Sequence, residues 1–320
     1  MHPRVPGTLP IRTVQHAGTY FFYMQYNKQA ITLTQQVSIL KQRGLIFANE
    51  QDAMKSLGNI GYFRLASYWR LFEADKINHI FKPNSHYEQA LTLYEFDSEL
   101  KILVFSAIQR LEVALRSKVN LHFAMKFGPF WFMDKTLFIK PSTFDKNYDS
   151  LREEVKRSYE DFITEHFKKY SDPDMPPSWK TLEVASFGTL SKLYSNFADP
   201  DVKKKVADDF DIPSYKFLRS WLKSFTVIRN NCAHHARLWN QRFPVSPMMP
   251  KRVPNKWITM MPHVPNSLYP NLCSIIYWLN VVNPQNSFVH DFKQLLAKYP
   301  IVDPAAMGFP RGWQNEPLWK

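Results

Sequence analysis

Cysteine is nearly absent from this 320-residue chain, which carries only Cys232 and Cys273. Two thiols cannot build a disulfide framework, and a reducing cytoplasm is the expected compartment. Glycine is scarce as well, at 9 residues, and alternating β-branched residues are rare. A sandwich or barrel, with its many strands and tight turns, is thereby disfavoured. No run approaches the ~18 apolar residues of a membrane span, so no membrane partner is expected. The segment 1–24 lacks the apolar core of a signal peptide. Walker, GxGxxG, CxxC, HExxH and GxSxG motifs are all missing, so the sequence calls for no cofactor and no metal. Acidic residues are also short: 28 Asp+Glu face 41 Lys+Arg, a net charge of +13. That balance suits a polyanionic partner such as RNA, with solubility alone as the plainer reading.

Aromatic residues make up 15% of the chain and apolar residues 45%, enough for a sizeable core. The apolar spacing predicts an all-α fold. Thr32 and Gln35 form a capping box ahead of Leu33, Val37 and Leu40, and Gly44 stops that helix. Asn49 caps a second helix, and Tyr62, Leu65, Trp69 and Phe72 mark a third. The longest helix is expected over 94–127, with Leu100, Val104, Ile108, Leu111, Leu115 and Val119 on one stripe. A charged, exposed helix is expected over 151–170, and a helical region from Ser178 that Gly188 interrupts. Pro213 opens a helix whose apolar face comprises Phe217, Leu218, Trp221, Leu222, Phe225 and Ile228. Two more helices follow, near 272–282 and 288–299. The resulting division is a poorly ordered tail over 1–28, or a start assigned too early; a helical unit over 29–90; a bundle over 91–243; and an extension over 244–320 packed on the bundle.

The chemistry-bearing stretch is Arg229-Asn230-Asn231-Cys232-Ala233-His234-His235, at the end of the helix that begins at Pro213. A fixed cation for phosphate and an imidazole for proton transfer are what metal-free RNA cleavage requires. The Arg-x(4–6)-His pattern by itself is cheap, since composition supplies about one match by chance. A second match, Arg116 and His122, falls inside the long helix and reads as coincidence. On a regular helix Asn230 and His234 lie one turn apart, so the amide can orient the imidazole. Arg229 and His234 are about 140° apart around the axis. Either the helix breaks near Cys232, or Arg229 reaches across, or two subunits share the site; the last is favoured. His235 competes with His234 for the catalytic role. Glu112 and Arg116, at i and i+4, form a core ion pair or orient Arg229 or the phosphate. The competing structural reading has Arg229 paired with a carboxylate and His234 capping a helix end.

Several segments together resemble the bacterial abortive-infection (Abi) proteins of the AbiD/AbiF-like group. They are 33–44, Ile60-Gly-Tyr-Phe-Arg-Leu65, Tyr94-Glu-Phe-Asp97, Ile108-Gln-Arg-Leu-Glu-Val-Ala-Leu-Arg116 and 177–193 with Ser186-Phe-Gly188. The likeness continues through Ile228-Arg-Asn-Asn-Cys-Ala-His-His-Ala-Arg-Leu-Trp-Asn240 to Met307-Gly-Phe-Pro310 and Trp313. That group is similar to HEPN-domain proteins, all-helical dimers whose Arg-x(4–6)-His motif cuts RNA without metal. The type VI CRISPR effectors carry the same kind of motif. The resemblance implies that 91–243 is a HEPN-like bundle and that Arg229, Asn230 and His234 are catalytic. It implies His235, Glu112 and Arg116 as candidate supporting residues, and a homodimer with a composite site. It further implies phage defence in the bacterial cytoplasm, restrained by an antitoxin protein or a structured small RNA.

Two other readings stand beside a metal-independent endoribonuclease. One is an RNA-binding HEPN-fold regulator that cuts weakly or not at all, held in an RNA or protein antitoxin complex. The other is a structural scaffold in a phage-response complex, which leaves the charge and the motif without a task.

Overall fold

The computed structural model describes residues 12–16, 19–23, 26 and 28–320, the first two segments through their backbone alone. The expected disordered tail over 1–28 thus lies largely outside the described residues. Within it, β1 (Arg12–His16) and β2 (Thr19–Tyr23) pair as an antiparallel ladder. The chain divides into two compact units, Met1–Glu88 and Gln89–Lys320. Residues 244–320 therefore fall within the same unit as the bundle segment.

The first unit contains α1 (Leu33–Gln42), α2 (Glu50–Ile60) and α3 (Tyr62–Trp69). The capping box forms: the Thr32 hydroxyl accepts from the Gln35 amide, and the Gln35 side chain accepts from the Thr32 amide at 2.8 Å. Asn49 accepts from the amides of Gln51 and Asp52 at the start of α2. These bonds satisfy helix-end donors that would otherwise lack partners. A small hairpin, β3 (Glu73–Asp75) and β4 (Ile80–Phe81), was not expected from the sequence. Its signal is local: the Asp75 carboxylate accepts from the amides of Ile77 and Asn78, and His79 sits at φ 58°. Strands this short leave no period to read.

The second unit is organised by α4 (Tyr87–Phe127), 41 residues and about 60 Å long at helical rise. It starts seven residues earlier than its apolar spacing suggested. Leu100, Val104, Ile108, Leu111, Leu115 and Val119 are all fully buried, so the stripe is the spine of the core. Around it come α5 (Pro141–Lys156), α6 (Asp161–Lys169), α7 (Ser178–Val184), α8 (Phe187–Asn196), α9 (Pro200–Asp208) and α10 (Tyr215–Ala233). α11 (Leu268–Val282) and α12 (Phe288–Lys298) complete the set, and the fold is all-α.

Three expectations are corrected here. The helix expected over 151–170 is two helices, and Leu151, Val155 and Ile163 are buried. It packs by an apolar stripe that the high charge obscured. The interruption expected at Gly188 falls at Ala185–Ser186, because the Ser186 hydroxyl caps α8 by accepting from the Thr189 amide. Pro213 lies outside α10, which Ser214 caps through the Lys216 amide.

Aromatic rings close the core at both ends. Phe197 lies 4.4 Å from Phe123 and 5.4 Å from Trp131 by ring centroids. Residues 304–320 fold back so that Trp313 meets Phe309 and Trp319, each at 4.9 Å. Each such ring contributes roughly 2–3 kcal/mol by leaving water. Gly308 makes that return, at φ 87°, and a Cβ there would collide with the Ser267 side chain. Gly308→Ala should therefore lower unfolding free energy by roughly 2–4 kcal/mol, measured by denaturant titration.

Candidate functional site

The site is built on the end of α10. Leu218, Trp221, Leu222, Phe225 and Ile228 are buried, which leaves Lys216, Lys223 and Asn230 exposed on the opposite side. The helix stays regular to Ala233 and then stops in a Schellman turn. The Ala236 amide donates to the Asn231 carbonyl at 2.8 Å, and the His235 amide donates to Cys232 at 3.2 Å. His234 is the C-cap (φ −94°, ψ 12°), and His235 takes the left-handed position at φ 57°. Glycine normally fills that position, so a histidine there carries backbone strain. The break comes just past Cys232, and both imidazole-bearing residues lie in it, exposed.

Arg229 is placed by α4. Its Nε lies 3.9 Å from the Glu112 carboxylate, and its guanidinium sits 5.6 Å from the Phe105 ring centroid. Glu112 is buried and also accepts a 2.6 Å bond from Arg116, whose guanidinium donates in turn to the Ala185 carbonyl at 2.8 Å. One carboxylate thus serves two guanidiniums. Arg116 is the closely held partner. Arg229 is the looser one: its side chain is 30% exposed and its Nε lacks a hydrogen bond. Glu112 thus forms the core pair with Arg116, and Arg229 lies at the outer limit of ion-pair distance from it.

Asn230 and His234 are joined by the backbone, His234 amide to Asn230 carbonyl at 2.9 Å. The amide-to-imidazole bond that helical spacing allows is not formed. The end of α10 stays open, and both side chains face outward. Arg116 and His122 are not brought together. His122 instead meets Asp209 at 2.9 Å, a carboxylate shared with Lys118. Both features of the structural reading are also visible, because Arg229 faces a carboxylate and His234 ends a helix.

Asp97, named above only within a matching stretch and given no role, and Lys101, not named at all, also shape this region. Asp97 is fully buried; its Oδ1 accepts from the amides of Leu238 at 2.9 Å and Trp239 at 2.6 Å. Its Oδ2 lies 3.1 Å from the Lys101 ammonium. This carboxylate ties the chain just beyond the two histidines to α4. An i,i+4 Asp–Lys pair inside an apolar stripe was the available signal. Cys232 is buried beside it, and burial pushes its thiol up to about 12, which makes it inert as a nucleophile. Among the described residues no group of three or more His, Cys, Asp or Glu is arranged to hold a metal ion.

A family model described as Abi-like protein matches residues 55–240, more than half of the chain. The match takes in Asp97, Glu112, Arg116 and the whole end of α10. No curated protein and no solved structure matches the chain.

Two stability measurements test this construction. Asp97→Asn should cost about 3 kcal/mol, because it leaves the buried Lys101 without its counter-charge; an unchanged denaturation midpoint would refute the anchor. His235→Gly should raise stability by roughly 0.5–1 kcal/mol by relieving the left-handed cap, read as a higher thermal midpoint.

Proposed function

The chain belongs to the Abi-like protein family, which supports an abortive-infection role in phage defence, and from that premise we propose that it is a metal-independent endoribonuclease. The His234 imidazole takes the proton from a ribose 2′-hydroxyl, whose oxygen attacks the adjacent phosphorus. The P–O5′ bond breaks as the new bond forms, leaving a 2′,3′-cyclic phosphate. The Arg229 guanidinium stabilises charge on the non-bridging oxygens. A second imidazole, from His235 or from a second copy of the chain, protonates the departing 5′ oxygen. DNA, without the 2′-hydroxyl, is not cut.

The observation that carries this reading is the unequal sharing of Glu112. Arg116 takes the short bond, and Arg229 keeps a partly exposed cation on the same helix end that leads into an exposed histidine turn. A buried carboxylate that neutralises one of two guanidiniums leaves positive charge for a phosphate. The homodimer reading has separate support. Arg229 lies in α10 and His234 caps its end, and five positions of regular helix would set them about 140° apart. On α4, Ile102 and Val113 are 70% and 61% exposed, two apolar positions open to a second copy. Restraint by an antitoxin protein or structured small RNA belongs to the same proposal.

The test is cleavage of labelled RNA by purified protein in EDTA, with end-group analysis. Arg229→Ala and His234→Ala should each lose about 10²–10³-fold in rate, and a 2′-deoxy substitution at the cut site should abolish cutting. His235→Ala should retain more activity than His234→Ala. Cleavage that requires a divalent metal, or that survives both substitutions, would overturn the mechanism. RNA binding without cleavage would instead favour the regulatory reading.

A further inference from the structure

The N-terminal unit carries a cleft that the proposed ribonuclease leaves unused. Its volume is about 710 Å³, and Arg43, Tyr62, Phe63, Arg70, Glu73 and His79 are among its walls, a size suited to one small organic ligand. Gly61, at φ 93°, turns the chain between α2 and α3 and sets Tyr62 and Phe63 at the start of α3. The Tyr62 ring packs edge-on against Phe63 and Trp69, with centroids 5.7 and 5.0 Å away. Phe63 is 87% exposed, which leaves its ring face open to a flat partner.

The polar groups narrow the ligand. Glu73 is only 4% exposed; its Oε1 lies 3.2 Å from His79 Nδ1, and its Oε2 has no hydrogen-bond partner. A buried carboxylate oxygen left in that state calls for a donor. Arg43 is held in place by donating to the Tyr62 hydroxyl at 3.1 Å. With Arg70 and Lys28 also in the walls, cations outnumber the one carboxylate. These groups together suit an anion that also offers N–H donors and a planar face. A simple amine fails the first condition, and inorganic phosphate fails the other two.

We propose that this cleft binds a guanine mononucleotide. The base stacks on the exposed face of Phe63, as bases do on exposed aromatic rings, and Tyr62 stands edge-on to that ring. Its adjacent N1–H and N2–H donors meet the Glu73 carboxylate, which has acceptor capacity to spare. The phosphate meets Arg43 and Arg70. Adenine fits less well, because it presents an acceptor at N1 where the carboxylate needs a donor.

Isothermal titration of the full-length protein with GMP, IMP, AMP and inorganic phosphate tests the assignment. GMP should bind saturably and at least about tenfold tighter than AMP, with IMP between them because it lacks the N2 donors. Glu73→Gln should erase the preference for GMP over AMP. Phe63→Ala, at a position too exposed to disturb the core, should weaken both nucleotides by about tenfold. Arg229→Ala and His234→Ala should bind GMP as the parent protein does, so failure of RNA cleavage and failure of this site are distinguishable. Equal affinity for GMP and AMP, or no saturable binding at millimolar GMP, overturns the proposal. Should Glu73→Gln fail to fold by circular dichroism, the GMP, IMP and AMP series on the parent protein decides.

Discussion

One buried carboxylate, Glu112, is the constraint on which the candidate site depends. Taken out of water, it must be paired, and it sits on α4 within reach of two guanidiniums. Its two oxygens are unequally used, one 2.6 Å from Arg116 and the other 3.9 Å from Arg229. Arg116, on the same helix one turn away, takes the short bond and also donates to the Ala185 carbonyl, which ties the break between α7 and α8 to α4. Arg229, arriving from α10, receives only the longer approach. Scaffold strength and an available cation thus come from the same group. Removing Glu112 would leave two partly buried positive charges side by side, a cost that protein interiors avoid.

A second carboxylate on α4 does for the chain direction what Glu112 does for charge. Asp97 holds the amides of Leu238 and Trp239 and is itself held by Lys101. The two histidines lie between this anchor and the regular part of α10. Their turn is therefore fixed at both ends, and the strained φ of His235 persists because the flanking structure determines it. Preorganisation of this kind suits the proposed cleavage chemistry, in which little would have to move.

The bundle was largely legible from spacing. Every residue of the α4 stripe is buried, as is the α10 face apart from the half-buried Phe217, because a long amphipathic pattern has one way to meet a core. Capping signals at Thr32 and Asn49 acted as their side-chain chemistry predicts. Less was legible where a local bond outweighed the pattern. Ser186 moved a helix break away from Gly188, and Asp75 folded a hairpin too short to show a period. In the site, the residues could be named but not their partners. Whether the Asn230 amide reaches His234, and which arginine Glu112 holds, depend on distances that a linear pattern does not contain.

By itself the sequence determined an all-α fold and the basic charge of the whole, and it singled out the end of α10 as the candidate site. Those properties follow from periodicity, composition and the fixed rise of a helix, which are local. Only the tertiary structure decided that Arg229 is the freer of two arginines, that Asp97 clamps the turn beyond the histidines, and that Glu73 is buried in an aromatic cleft of the other unit. Each of these joins residues distant in the chain, and desolvation on folding is what makes their pairing consequential.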